Sequence, residues 1–131
     1  MSTKEDTDEI RIESDNLKEF VKKLLKKYPD IKPHKEDDWD WTWSDEGYDA
    51  MEGGDFQLAE YKFEQLIVAE PDHFEGYEGL ALAYQAEGRK SEAIILIDHA
   101  VKLANKLLKL DGIDREALND MIVEQRDIHD M

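Results

Sequence analysis

The chain has 131 residues, 40% apolar and 38% charged, with a formal net charge of −16. That length is one domain's worth, and the apolar share supports one core beneath a heavily solvated surface. The charge argues against nucleic acid as a partner, because a phosphate backbone is held by Lys and Arg; the lack of cysteine excludes disulfides and thiolate chemistry.

The charge is unevenly placed. Residues 1–15 carry −4, and residues 16–35 carry +5 from seven lysines. Residues 36–87 carry −15, with Lys62 as their single base, and residues 88–131 carry −2. The polar, acidic N-terminus has no apolar leader, and no apolar run is long enough to span a bilayer. The expectation is a cytoplasmic protein without membrane contact.

In chain order, residues 1–15 lack apolar periodicity and are expected to form a disordered acidic tail. Residues 16–28 predict an amphipathic basic helix: Leu17, Phe20, Val21, Leu24, Leu25 and Tyr28 share one face, and Lys18, Lys22, Lys23, Lys26 and Lys27 the other. Asn16 and Glu19 are placed as a capping box, and Pro29 ends the run. Residues 29–39, with two prolines and an acidic run, predict a linker. A helical domain then fills residues 40–131. Its first helix is expected over 41–52, broken by Gly53-Gly54. Asp55 caps a second over 56–69, and Pro71 marks its end. Asp72 and Glu75 suggest a capping box for a third over 73–86, and Gly88 makes the next turn. A fourth helix is expected from Lys90 to Leu110, stopped by Gly112. Asp114 caps a last helix to about Ile128, with Ile113 and Leu118 placed as a hydrophobic staple.

Within this domain one fragment occurs twice, 34 residues apart. Trp43 answers to Tyr77, Gly47 to Ala81, Gly54 to Gly88, Ala59 to Ala93 and Phe63 to Ile97. Small residues at paired positions let two helices approach, and large ones fill the space between pairs. This spacing marks a helical solenoid.

These residues, with Pro71, Leu80, Tyr84 and Ala100, resemble two tetratricopeptide repeats covering residues 40–107. Glu46, Ala50, Leu66 and Asn105 depart from the family pattern. The resemblance implies an all-α, α-solenoid fold of antiparallel helix pairs, flanked by the N-terminal amphipathic helix and a C-terminal capping helix. Its function would be an adaptor that binds a partner polypeptide along a concave groove and performs no catalysis. The implied groove residues are Trp41, Ser44, Tyr48, Met51 and Glu52 in the first repeat, and Glu75, Glu78, Leu82, Gln85 and Ala86 in the second. This groove is aromatic at one end and acidic at the other, without Lys or Arg. It lacks the cations that family members use to clamp a chaperone's terminal carboxylate. A basic and apolar peptide suits it better.

The helix over 16–28 is expected to cap the solenoid; the alternative is that it lies in the acidic groove of its own chain or of a neighbour. The expected helix 90–110 is apolar nearly all round, which raises a homodimer and a second functional reading, a small acidic dimeric chaperone. Trp43 is assigned to the core, whereas Trp39 and Trp41 are either contact residues or packed on the basic helix. The acidic run Asp37, Asp38, Asp40, Asp45, Glu46 lacks the glycine and closing glutamate of a calcium loop. The histidines His34, His73, His99 and His129 form no metal-binding pair, and His73 is at best a weak candidate. No cofactor motif and no catalytic constellation is found, so an enzyme or metal protein is the weakest reading.

Overall fold

The computed structural model describes residues 17–31, 42–110 and 113–131. Among them are α1 (Leu17–Lys27), α2 (Thr42–Glu52), α3 (Phe56–Ala69), α4 (Glu75–Ala86), α5 (Lys90–Lys109) and α6 (Arg115–His129). From α2 onward each helix packs on its chain neighbour, and α2 also lies along α4. The fold is an all-α solenoid of helix pairs. The expected tail, Asn16, most of the linker, Trp39, Trp41 and Gly112 lie outside the described residues.

The sequence period is written into the backbone. Gly54 and Gly88 both adopt left-handed φ, 82° and 78°. Gly53 N–H donates to Asp49 O, Gly54 N–H to Met51 O and Asp55 N–H to Ala50 O. The same bonds recur from Glu87 to Ala83, Gly88 to Gln85 and Arg89 to Tyr84. Glycine takes this φ without strain, so each one closes a helix and turns the chain back.

After the turns the two copies diverge. Asp55 accepts from Leu58 N–H at 3.1 Å and caps α3. Arg89, its counterpart, has no capping oxygen and works through its guanidinium instead. Nε and Nη2 each donate to Glu92 at 2.9 Å, and Nη1 reaches Glu60 at 3.4 Å. The guanidinium carbon stands 3.9 Å from the Tyr84 ring centroid. One arginine thus ties the second turn to α3, α4 and α5.

The core is built by close helix approach. The Phe63 ring lies between α2 and α4. A Cβ added at Gly47 would fall 2.6 Å from Phe63 Cζ, and one at Gly79 would fall 2.1 Å from Cε1. The Tyr48 ring meets Phe63 edge-on at 5.0 Å. Leu80, Ala81, Tyr84, Ala93, Leu96, Ile97, Ala100 and Ala104 continue the buried layer, which Leu118, Met121 and Ile128 of α6 close.

The basic helix rests on α3. Phe20 and Leu24 are buried. At its C-terminal end, Tyr28 Oη and Lys27 Nζ both donate to the buried Glu64 carboxylate, the lysine at 2.9 Å. Helix α1 is therefore a flanking helix on α3 and does not lie between α2 and α4. Replacing Tyr28 by phenylalanine removes a donor from a buried carboxylate, an expected cost of about 1–3 kcal/mol. Lys27→Ala is expected to cost less, because that side chain is 35% exposed and screened. Chemical denaturation ranks the two variants, and hydrogen exchange should show α1 amides opening first in Tyr28→Phe. Equal losses would place the anchor in the ion pair.

Several expectations are corrected. Asp72 caps nothing: α4 starts at Glu75 without a side-chain cap at Phe74, and Glu75 N–H donates to His73 Nδ1 at 3.2 Å. Trp43, on the first turn of α2, is half-buried rather than sealed in the core. Helix α5 ends at Lys109, leaving Leu110 as its cap and 74% exposed. Much of α5's apolar ring is buried inside the chain, between α4 and α6, with Ile94, Ile95, Leu107 and Leu108 half-buried. That leaves less surface for a second copy than the sequence suggested.

Candidate binding face of α2, α4 and α6

Helices α2 and α4 are the first members of the two pairs, and α6 follows as a third without a partner. Their side chains meet on one face. Ser44 of α2 is buried and donates to Glu75 Oε2 of α4 at 2.8 Å. Its hydroxyl is thus engaged in ordering Glu75. Tyr48 is half-buried; its ring covers Phe63, and the charges of Glu78, Glu75 and Glu124 act on its hydroxyl. Met51, Leu82 and Gln85 are half-buried beside them, and Glu52 and Ala86 are exposed. Trp41 lies outside the described residues.

The acids of this face perturb one another. Burial raises the Glu75 carboxyl, the Ser44 hydroxyl pulls it down, and Asp45 and Glu124 push it up. Glu78 is held far above the usual carboxylate range, first by burial, then by a carboxyl–carboxyl hydrogen bond to Glu124 and the charges of Glu124, Glu75 and Asp120. Two acids in such contact keep a proton between them, because two bare carboxylates would repel at short range. The Tyr48 hydroxyl is raised by burial and then by Glu78, Glu75 and Glu124.

The family resemblance names Tyr48, Glu75 and Glu78 but not Asp120 and Glu124, because it implies only a capping role for the last helix. The available signal was their spacing of four, which sets both acids on one flank of a helix whose core face carries Leu118 and Met121.

The three described histidines pack or pair within the fold, and His34 lies outside the described residues. His73 is buried and stacked on Phe74 at 4.5 Å, and burial lowers its pKa to about 4. His99 meets the Tyr77 ring edge-on at 4.6 Å. His129 Nε2 lies 2.8 Å from Asp98 Oδ1. Among the described residues no three His, Cys, Asp or Glu side chains are grouped to hold a metal ion, and no helix is long and apolar enough to cross a membrane.

A segment of 61 residues, 47% of this chain, is 33% identical to tetratricopeptide repeat-containing protein trd-1 of Caenorhabditis elegans. The match spans only 8% of that protein's length. No family model matches the chain. No solved structure matches it.

Proposed function

We propose that this chain is a protein-interaction module, an adaptor without catalytic activity, whose α2–α4–α6 face receives a basic and apolar segment of a partner polypeptide. Its similarity to part of a tetratricopeptide repeat-containing protein supports the class of function. The observation that carries the finer reading is the composition of the face. Glu75, Glu78, Asp120 and Glu124 stand beside Tyr48, Met51 and Leu82, and the expected groove positions hold no Lys or Arg. Such a surface attracts cations, repels terminal carboxylates and offers apolar anchors between its charges.

The test is recovery of a partner from source-cell extract by the full chain and by two face variants, Leu82→Arg and Glu75→Lys, with crosslinks mapped by mass spectrometry. A partner crosslinked to α2, α4 or α6, weakened by added salt, and at least tenfold less recovered by Glu75→Lys is expected; tenfold corresponds to about 1.4 kcal/mol. Equal recovery by all three proteins, or crosslinks confined to α1 and α3, would overturn the reading.

A further inference from the structure

Helix α1 is the most loosely attached helix of the fold. From α2 to α6 each helix packs extensively on its chain neighbours, whereas α1 packs chiefly on α3 and far less extensively. Helix α3 is itself held by α2 and α4 without α1. Residues 28–41 join α1 to α2, so α1 can leave α3 without unwinding a neighbouring helix.

The contact has the form of a helix laid in a groove. Phe20, Leu24 and Tyr28 stand four residues apart on one face of α1, and all three are buried. On α3, the buried Glu64 carboxylate accepts from Tyr28 Oη and Lys27 Nζ, and the Tyr61 ring lies 5.5 Å from that of Tyr28. Val68, one turn beyond Glu64, is fully enclosed. A carboxylate in an apolar trough requires donors, and α1 brings two. Its outer face carries Lys18, Lys22, Lys23 and Lys26, all exposed. Residues 36–87, which include α3, carry −15, so charge also draws a basic helix to this part of the chain.

We propose that the α3 groove is a second protein-binding site, that α1 is its built-in occupant, and that its external ligand is an amphipathic basic helix of a partner polypeptide. The ligand would carry apolar residues at i and i+4, lysine at i+7 and tyrosine at i+8. This site is separate from the α2–α4–α6 face and does not rest on it. The ligand repeats what α1 does there: two apolar side chains fill the groove, and a hydroxyl and an ammonium satisfy Glu64. Tethered α1 competes at an effective concentration on the order of a millimolar. A partner therefore sees only the fraction of molecules in which α1 has lifted off. Any change that loosens α1 should raise the affinity for a helix added from outside.

The experiment uses the full chain and a labelled synthetic peptide of residues 16–31 as the probe. Leu24→Ala loosens α1 in its own groove, and Leu24→Asp empties the groove. Fluorescence anisotropy is expected to show the peptide bound about tenfold more tightly by Leu24→Ala than by the unaltered chain, and more tightly still by Leu24→Asp. Circular dichroism checks folding, and Leu24→Ala carries the comparison alone if Leu24→Asp does not fold. A peptide with Tyr28→Phe should bind about tenfold less tightly. Added salt should weaken binding. In the unaltered chain, excess peptide should shift the backbone amides of Tyr61, Glu64 and Val68 and speed hydrogen exchange in α1.

Equal affinity of the unaltered chain and Leu24→Ala, or no binding by either, would overturn the self-occupied groove. So would an unaltered chain whose α3 amides do not respond to excess peptide. Shifts centred on Tyr48, Glu78 and Leu82 would overturn it as well, and would assign the peptide to the α2–α4–α6 face.

Discussion

Replacing Phe63 by alanine is expected to cost about 3–5 kcal/mol, a large part of the margin by which a domain of this size stays folded. The ring is fully buried and joins the two helix pairs, with Gly47 of α2 on one side and Gly79 of α4 on the other. Its removal opens a cavity that rigid helices cannot close. The complementary change is Gly79→Ala. A methyl group there would sit 2.1 Å from Phe63 Cε1, so the ring or α4 must move. Overpacking of this kind costs about 1–3 kcal/mol. Because both sites share one contact, changes there should not add: Gly79→Ala combined with Phe63→Leu should lose less than Gly79→Ala and Phe63→Leu lose separately, summed. Urea denaturation of the four proteins measures this directly. Additive losses would show that the glycine and the ring do not share the space between α2 and α4.

Stability is expected to be greatest at mildly acidic pH and to fall on both sides. On the acid side the cause is His73. Burial lowers its pKa from the ordinary 6.5 to about 4, so the folded state prefers the neutral ring. Its contribution is complete above 6.5 and is lost as pH falls through about 4, a total of about 3 kcal/mol. Protonation at Nδ1 would also take away the acceptor for Glu75 N–H. His99, lowered first by burial and then by Lys102 and Lys106, acts in the same direction. On the alkaline side the signs reverse. Glu78 is raised by burial and Glu124, and Glu60 by burial and Glu87, with Arg89 opposing. The folded state prefers these acids protonated. Their contribution is complete below the usual carboxylate range and is lost as pH rises toward the raised values, at up to about 1.4 kcal/mol per pH unit for each retained proton. Thermal melts across pH should show His73→Gln flattening the acid limb and Glu78→Gln flattening the alkaline one. An unchanged limb in either variant would reassign it to other groups.

Much of this architecture was legible in the sequence because it rests on local rules. Gly54 and Gly88 stand where a left-handed turn is needed, and the hydrogen bonds around them repeat residue for residue. Asp55 and Asp114 announce helix starts, and both accept the expected backbone N–H groups. The Asp72 cap failed because capping depends on where the helix begins, and α4 begins only at Glu75, after the buried His73 and Phe74. Ser44, Tyr48, Glu75 and Glu78 were placed on one face by the family resemblance, and in the structure Ser44 bonds to Glu75 and Glu78 acts on Tyr48.

The sequence by itself determined the helices, their turns, the 34-residue repeat and the acidity of the chain's middle, because each follows from spacing or composition over a few residues. Only the tertiary structure decided that α1 rests on α3 through Tyr28, Lys27 and Glu64, residues 36 and 37 positions apart. It alone brought Glu124 of α6 against Glu78 of α4, although 46 residues separate them. Neither pairing has a local signature. Each arises because helices packed at fixed distances bring distant side chains into one desolvated space, where a carboxyl must find a donor or keep its proton.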